Sequence, residues 1–264
     1  MQWTWDSLHL VWAAGVLLHI VLLAVLFACG RIRRFPLFTL LVIFYVVRSL
    51  ALYVTTSRIS RAAYSQMHIG FAIADTLLET VVLLSLCWQG VKGLGIKPRF
   101  VLPGAFLVIA AAASLPLFWG KWPAAIIWPG QPGFDGTAFA SLFASKGNVF
   151  VQGLAIVVAI VVLAASRRTG LLWTSHIRRL TQGFSTYALV TIAITAVIEH
   201  LEATLKPTSM AEYQAAISKL THLSYVPTGV YFVVVVYWIV TLWMPDGVVL
   251  SAPAESAAID IASI

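Results

Sequence analysis

The stretch "HIGFAIADTLLETVVLL", His68 to Leu84, has the apolar continuity of a membrane-crossing helix, yet Asp75 and Glu79 sit near its middle. An ionised side chain at the centre of a bilayer costs roughly 2.5–3.5 kcal/mol on insertion scales, so such groups turn toward the bundle interior and find partners there. Spacings of seven and four residues place His68, Asp75 and Glu79 on one face of a helix. That face has to look at other helices.

The rest of the chain belongs to the same class. Of 264 residues, 60% are hydrophobic and only 10% charged, against about 25% charged in a soluble domain. Apolar runs near 7–29, 36–56, 64–92, 100–118, 147–166, 178–203 and 220–244 each approach the ~20 residues that cross a ~30 Å hydrocarbon layer. None has the alternation of a transmembrane β-strand. The expected architecture is an all-α membrane protein, a seven-helix bundle over 1–244, with a flexible tail at 245–264. The opening "MQWTWDSLHLVW" lacks the basic start and small-residue cleavage site of a secretory leader, so the first run is expected to remain as a helix.

Net charge is +7, but the basic residues lie in short clusters between apolar runs, so they read as topology signals and nucleic acid is not expected as a partner. Arg31, Arg33, Arg34, Lys92, Lys97, Arg99, Arg167, Arg168, Arg178 and Arg179 fall in odd-numbered loops; Arg58, Arg61, Lys121, Lys146, Lys206 and Lys219 fall in even ones. That excess predicts an outside N-terminus, a cytoplasmic C-terminus and residence in the cytoplasmic (inner) membrane. Trp3, Trp5, Trp119, Trp122 and Trp128 then mark the outer edge, and Trp88, Trp173, Trp238 and Trp243 the inner one. Cys29 and Cys87 fall at cytoplasmic helix ends and are expected as free thiols. The segment Trp119 to Gly147, rich in Pro and Gly, reads as a non-helical outer loop at the membrane surface.

The second run supplies Arg48 at a depth matching Asp75, so an Arg48–Asp75 ion pair is expected across the first hairpin of antiparallel helices that holds both. Glu79, one turn deeper, has no obvious cation and is a candidate hydrogen-bond donor or proton relay. Thr191, Thr195, Glu199 and Glu202 form a second polar stripe on the sixth run. Tyr45, Tyr53, Tyr187, and Tyr225 with Pro227, are candidates to line a shared cavity. His9, His68, His200 and His222, with Glu202, share one depth at the outer ends and form a candidate transition-metal or haem site, set against the plainer reading that imidazoles are tolerated at the interface. His19 lies mid-membrane without a histidine at its depth, and His176 is expected in a cytoplasmic loop.

Arg33, Arg34, Phe35, Pro36, Phe38 and Arg48, within "RIRRFPLFTLLVIFYVVRSLALYV", resemble uncharacterised bacterial seven-span membrane proteins that open the second helix on a basic run and Phe-Pro and carry a mid-helix Arg. The resemblance covers chiefly the first three helices; it implies the same fold, draws attention to Arg48 and implies no activity. The last run has no lysine within the membrane for a retinal Schiff base, and no nucleophile elbow, phosphate loop or dinucleotide fingerprint is present. Three classes of function remain. The first is a non-enzymatic binding, sensing or accessory subunit that takes a small molecule or lipid and whose basic loops, such as "RRTGLLWTSHIRR", meet a protein partner or anionic lipid. The second is a redox or metal component binding haem, quinone or a transition metal. The third is an ion or solute transporter, weakened by the absence of internal repeats.

Overall fold

The computed structural model describes residues 7–56, 58–94, 100–119, 135–169, 175–205 and 209–245. They form α1 (Ser7–Ala28), α2 (Pro36–Thr55), α3 (Arg61–Val91), α4 (Val101–Phe118), α5 (Gly136–Thr169), α6 (Ser175–Thr204) and α7 (Met210–Trp243), with 3₁₀ turns at Arg31–Arg33 and Lys92–Leu94. All seven α-helices are long and apolar enough to cross a membrane. No strand occurs among the described residues. Trp3, Trp5, Trp122, Trp128, Trp173, most of the 119–147 segment and the tail from 246 onward lie outside the described residues.

Local chemistry sets the helix ends. Gly30, at φ 64, takes the left-handed conformation that turns α1 into the first 3₁₀ turn. Pro36 then opens α2, where its missing N–H costs nothing. Ser60 caps α3 by accepting from the backbone N–H of Ala63 at 3.3 Å.

Two starts differ from expectation. Helix α5 begins at Gly136, so the stretch from Gly136 to Gly147 is helix and not loop, and α7 begins at Met210 and not near 220. In both places a cap does what hydropathy does not register. The Asp135 side chain accepts from Thr137 and Ala138 N–H at 2.8 and 3.2 Å. Ser209 accepts from Glu212 N–H at 3.3 Å, and "SMAE" has the spacing of a capping box. A helix needs backbone hydrogen bonds and a start signal; it needs hydrophobicity only where it is buried. His176, expected in a loop, is instead the second residue of α6 and fully buried.

Helices α1, α2, α3, α5, α6 and α7 form a closed ring in that order, α7 returning to α1, while α4 packs on the outside of α5. We call the end where α1, α3, α5 and α7 begin the mouth, and the opposite end the base. The base half is a dense apolar core that includes Leu22, Leu26, Leu83, Leu86, Leu180 and Leu242. At its centre Phe38 meets Trp238 edge-on at 5.3 Å between ring centroids, and Phe184 lies 4.8 Å from Trp238.

That aromatic cluster leaves no room on α6. A β-carbon added at Gly183 would sit 2.2 Å from Nε1 of Trp238, so α6 and α7 approach closely only because the residue is glycine. Gly183→Ala is expected to destabilise the fold by about 1–3 kcal/mol through overpacking. Gly70→Ala, where nothing lies within 4 Å of the new carbon, should be neutral or stabilising by about 0.5–1 kcal/mol. Thermal unfolding of the two purified variants checks this, and equal midpoints would refute the packing argument.

Candidate functional site

Above the aromatic cluster the ring encloses a cavity of about 1230 Å³ that opens at the mouth. Toward the base its lining ends on His19 of α1, Tyr45 of α2, Glu79 of α3, Ala155 of α5, Phe184 of α6 and Tyr231 of α7. Beyond them lies the packed apolar core that includes Leu22, Leu83, Val158 and Trp238. The cavity is therefore a vestibule with a closed floor.

Each deep polar group is held by another helix. Arg48 Nη1 donates to Asp75 Oδ2 at 2.5 Å, joining α2 to α3 as their matched depths require. The two side chains keep 25% and 21% of their surface exposed, so cavity water shares their solvation. The Tyr45 hydroxyl donates to Glu79 Oε1. Glu79 thus has a partner that charge alone did not reveal, although no described Lys, Arg or His reaches ion-pair distance of it. On α1, His19 Nδ1 lies 2.6 Å from the Gly15 carbonyl, which can only accept, so that nitrogen carries the hydrogen. In the neutral ring Nε2 is then the acceptor, and the Tyr231 hydroxyl donates to it at 2.6 Å, closing α1 onto α7.

Aromatic rings fill the floor between these groups. Tyr45 and Tyr231 lie 6.3 Å apart at 88°, Tyr187 and Tyr231 5.4 Å apart at 63°, and His19 and Tyr45 5.4 Å apart at 68°. Near the mouth Trp12 stacks on Tyr53 at 4.2 Å and donates to the Ser49 carbonyl at 3.3 Å. Asn148 and Gln152 of α5 supply amide groups to the opposite wall.

Of the residues expected from sequence, Arg48, Asp75, Glu79, Tyr45, Tyr53 and Tyr187 line this cavity, with His9 and His68 at its rim. Thr195, Glu199 and Tyr225 do not. Glu199 and Tyr225 are exposed, and Thr191 spends its hydroxyl on the Tyr187 carbonyl at 2.8 Å. The stripe on α6 fails for a geometric reason. A strict four-residue spacing advances about 40° per step on a helix of 3.6 residues per turn, so a row that starts at the cavity beside Tyr187 has rotated out of it by Glu199.

The expected metal or haem set is not assembled. His9, His68, His200, Glu202 and His222 are all exposed, and no group of three or more His, Cys, Asp or Glu among the described residues could hold a metal ion. A shared depth does not bring side chains together when their helices stand around a ring: α1 and α3 lie on either side of α2, and α6 is two places beyond α3. Cys29 and Cys87 are free thiols.

Sequence reasoning missed Tyr231 and undervalued His19. The usable signal was depth, because Tyr231 on α7 lies at the level of His19 on α1. At that depth a tyrosine hydroxyl partners the imidazole where no second histidine stands.

Removing Arg48 leaves a carboxylate half-buried beside Glu79. Arg48→Ala is expected to cost about 1–3 kcal/mol, at the lower end of buried pairs because water reaches this one. The Arg48→Ala, Asp75→Ala double variant should lose less than the sum of the two single losses. A double-mutant cycle on thermal unfolding measures this, and strict additivity would rule out coupling.

No protein-family description, curated protein or solved structure matches the chain, so its function has to be reasoned from the vestibule itself.

Proposed function

We propose that this chain is a multi-pass protein of the cytoplasmic membrane whose vestibule opens to the outer side and binds a small ligand, making it a receptor or accessory binding subunit. One observation carries the reading: a large cavity, whose lining sets Arg48, Asp75, Glu79 and Asn148 among apolar and aromatic groups, stands on a packed apolar base. A channel needs a route past that base, and on α6 the lining ends at Phe184, which itself packs on Phe38 and Trp238.

Membrane insertion is supported by the outer surface of the bundle. Leu17, Phe27, Leu102, Phe106 and Phe118 are all more than half exposed, a pattern suited to lipid and costly in water. Orientation is supported by charge. Arg31, Arg33 and Arg34 sit in the turn between α1 and α2, and Arg178 and Arg179 near the start of α6, all at the base. The excess of basic residues there favours a cytoplasmic base, where the same residues would meet anionic lipid headgroups or a partner protein.

Ala144 lines the vestibule on α5. In a Cys29→Ser, Cys87→Ser background, Ala144→Cys in intact cells should react with a membrane-impermeant methanethiosulfonate, whereas restored Cys29 should react only after permeabilisation. Protection of Ala144→Cys until permeabilisation would overturn the outward-facing vestibule.

A further inference from the structure

The geometry points to a small organic ammonium ion as the ligand class held at the vestibule floor, an inference that rests on the reading of the vestibule as a binding site. Charge is the first argument. Arg48 and Asp75 neutralise each other, and Arg58, the other lining arginine, is exposed at the rim near the end of α2. That leaves Glu79 as the carboxyl without a cation at the floor. Its Oε1 takes the Tyr45 hydroxyl, and a carboxylate has about four acceptor positions over its two oxygens. A ligand cation beside Glu79 holds it in the ionised form, a role that no described Lys, Arg or His fills at ion-pair distance. An anion would instead add to the two carboxyls while the nearest guanidinium is already committed.

Ring geometry is the second argument, independent of charge. Tyr45, Tyr187 and Tyr231 all line the floor, and their rings meet at steep angles, 88° between Tyr45 and Tyr231 and 63° between Tyr187 and Tyr231. Rings set at such angles form the corner of a box, the arrangement in which several π faces surround one ammonium group. The hydroxyl of Tyr45 is tied to Glu79 and that of Tyr231 to His19, so these two rings are fixed before any ligand arrives. Preorganised rings lose little entropy on binding.

Size fits a floor site beneath a wider entrance. The whole vestibule, about 1230 Å³, exceeds the roughly 300–1,000 Å³ of a typical ligand pocket. The ammonium occupies the box, while Asn148, Gln152 and water meet whatever polar tail it carries.

The test uses the purified full chain in detergent, titrated calorimetrically with choline, tetramethylammonium and n-butylammonium, and with 3,3-dimethylbutan-1-ol as the neutral counterpart of choline. Saturable binding is expected for at least one ammonium, with the neutral alcohol about tenfold weaker or worse. Glu79→Gln should weaken the ammonium by a similar factor. Tyr187→Phe, which keeps the π face, should bind as the parent does, and Tyr187→Leu should not. If Glu79→Gln does not fold, the alcohol and the Tyr187 pair still decide the matter. Equal affinity for choline and its alcohol, or no saturation by any of the three ammonium ions at millimolar concentration, overturns the ammonium class. Labelling of Ala144→Cys separates the two levels: a reactive thiol without ammonium binding leaves the vestibule standing and removes this ligand, whereas an unreactive thiol removes both.

Discussion

Ionisable side chains on helices this apolar cannot be left to face hydrocarbon, and the mouth half of the bundle is arranged around that requirement. Arg48 with Asp75 and Tyr45 with Glu79 tie α2 to α3. His19 with Tyr231 ties α1 to α7, and Trp12 with the Ser49 carbonyl ties α1 to α2. Four polar contacts thus run through four consecutive members of the ring. Each would be weak at an exposed surface, but for partly buried groups an unmade bond costs more than a made one gains. Together they specify which helix faces which.

The base half follows the opposite logic. Its interior holds Leu, Val and Phe side chains packed around Trp238, and its helices approach closely where Gly183 permits. Close packing excludes water, and the wide mouth admits it. A ring of six helices can do both because the boundary between the halves is a layer of amphipathic rings. Tyr45, Tyr187 and Tyr231 have apolar bodies suited to the core below and hydroxyls suited to the cavity above. Phe184, one turn nearer the base than Tyr187 on α6, closes the floor.

Helix number and the Arg48–Asp75 pair were legible in the sequence because both depend on length and depth, which a linear chain records directly. The starts of α5 and α7 were less so, since Asp135 and the Ser209–Glu212 box act through hydrogen bonds that hydropathy ignores, although "SMAE" was there to be read. What sits beside what around a ring is another kind of information. Four histidines at one depth looked like a site, yet α3 stands two places from α1 and from α6 in the ring, and all four imidazoles are exposed. Conversely, His19 and Tyr231 are 212 positions apart in the chain and in direct contact. The exclusion of α4 from the ring was equally hidden, because its composition resembles that of its neighbours.

Glu79 shows why partner and charge have to be treated separately. The Tyr45 hydroxyl satisfies one of its oxygens without bringing a positive charge, so Glu79 has a hydrogen-bond partner and no cation beside it. Asp75, one turn toward the mouth, is the reverse. Arg48 cancels its charge, yet Oδ1 is buried with no hydrogen-bond partner among the described residues. Two carboxyls on one helix face therefore differ in what they lack: Glu79 has no cation beside it, and Asp75 has no donor at an oxygen that is sealed from the cavity.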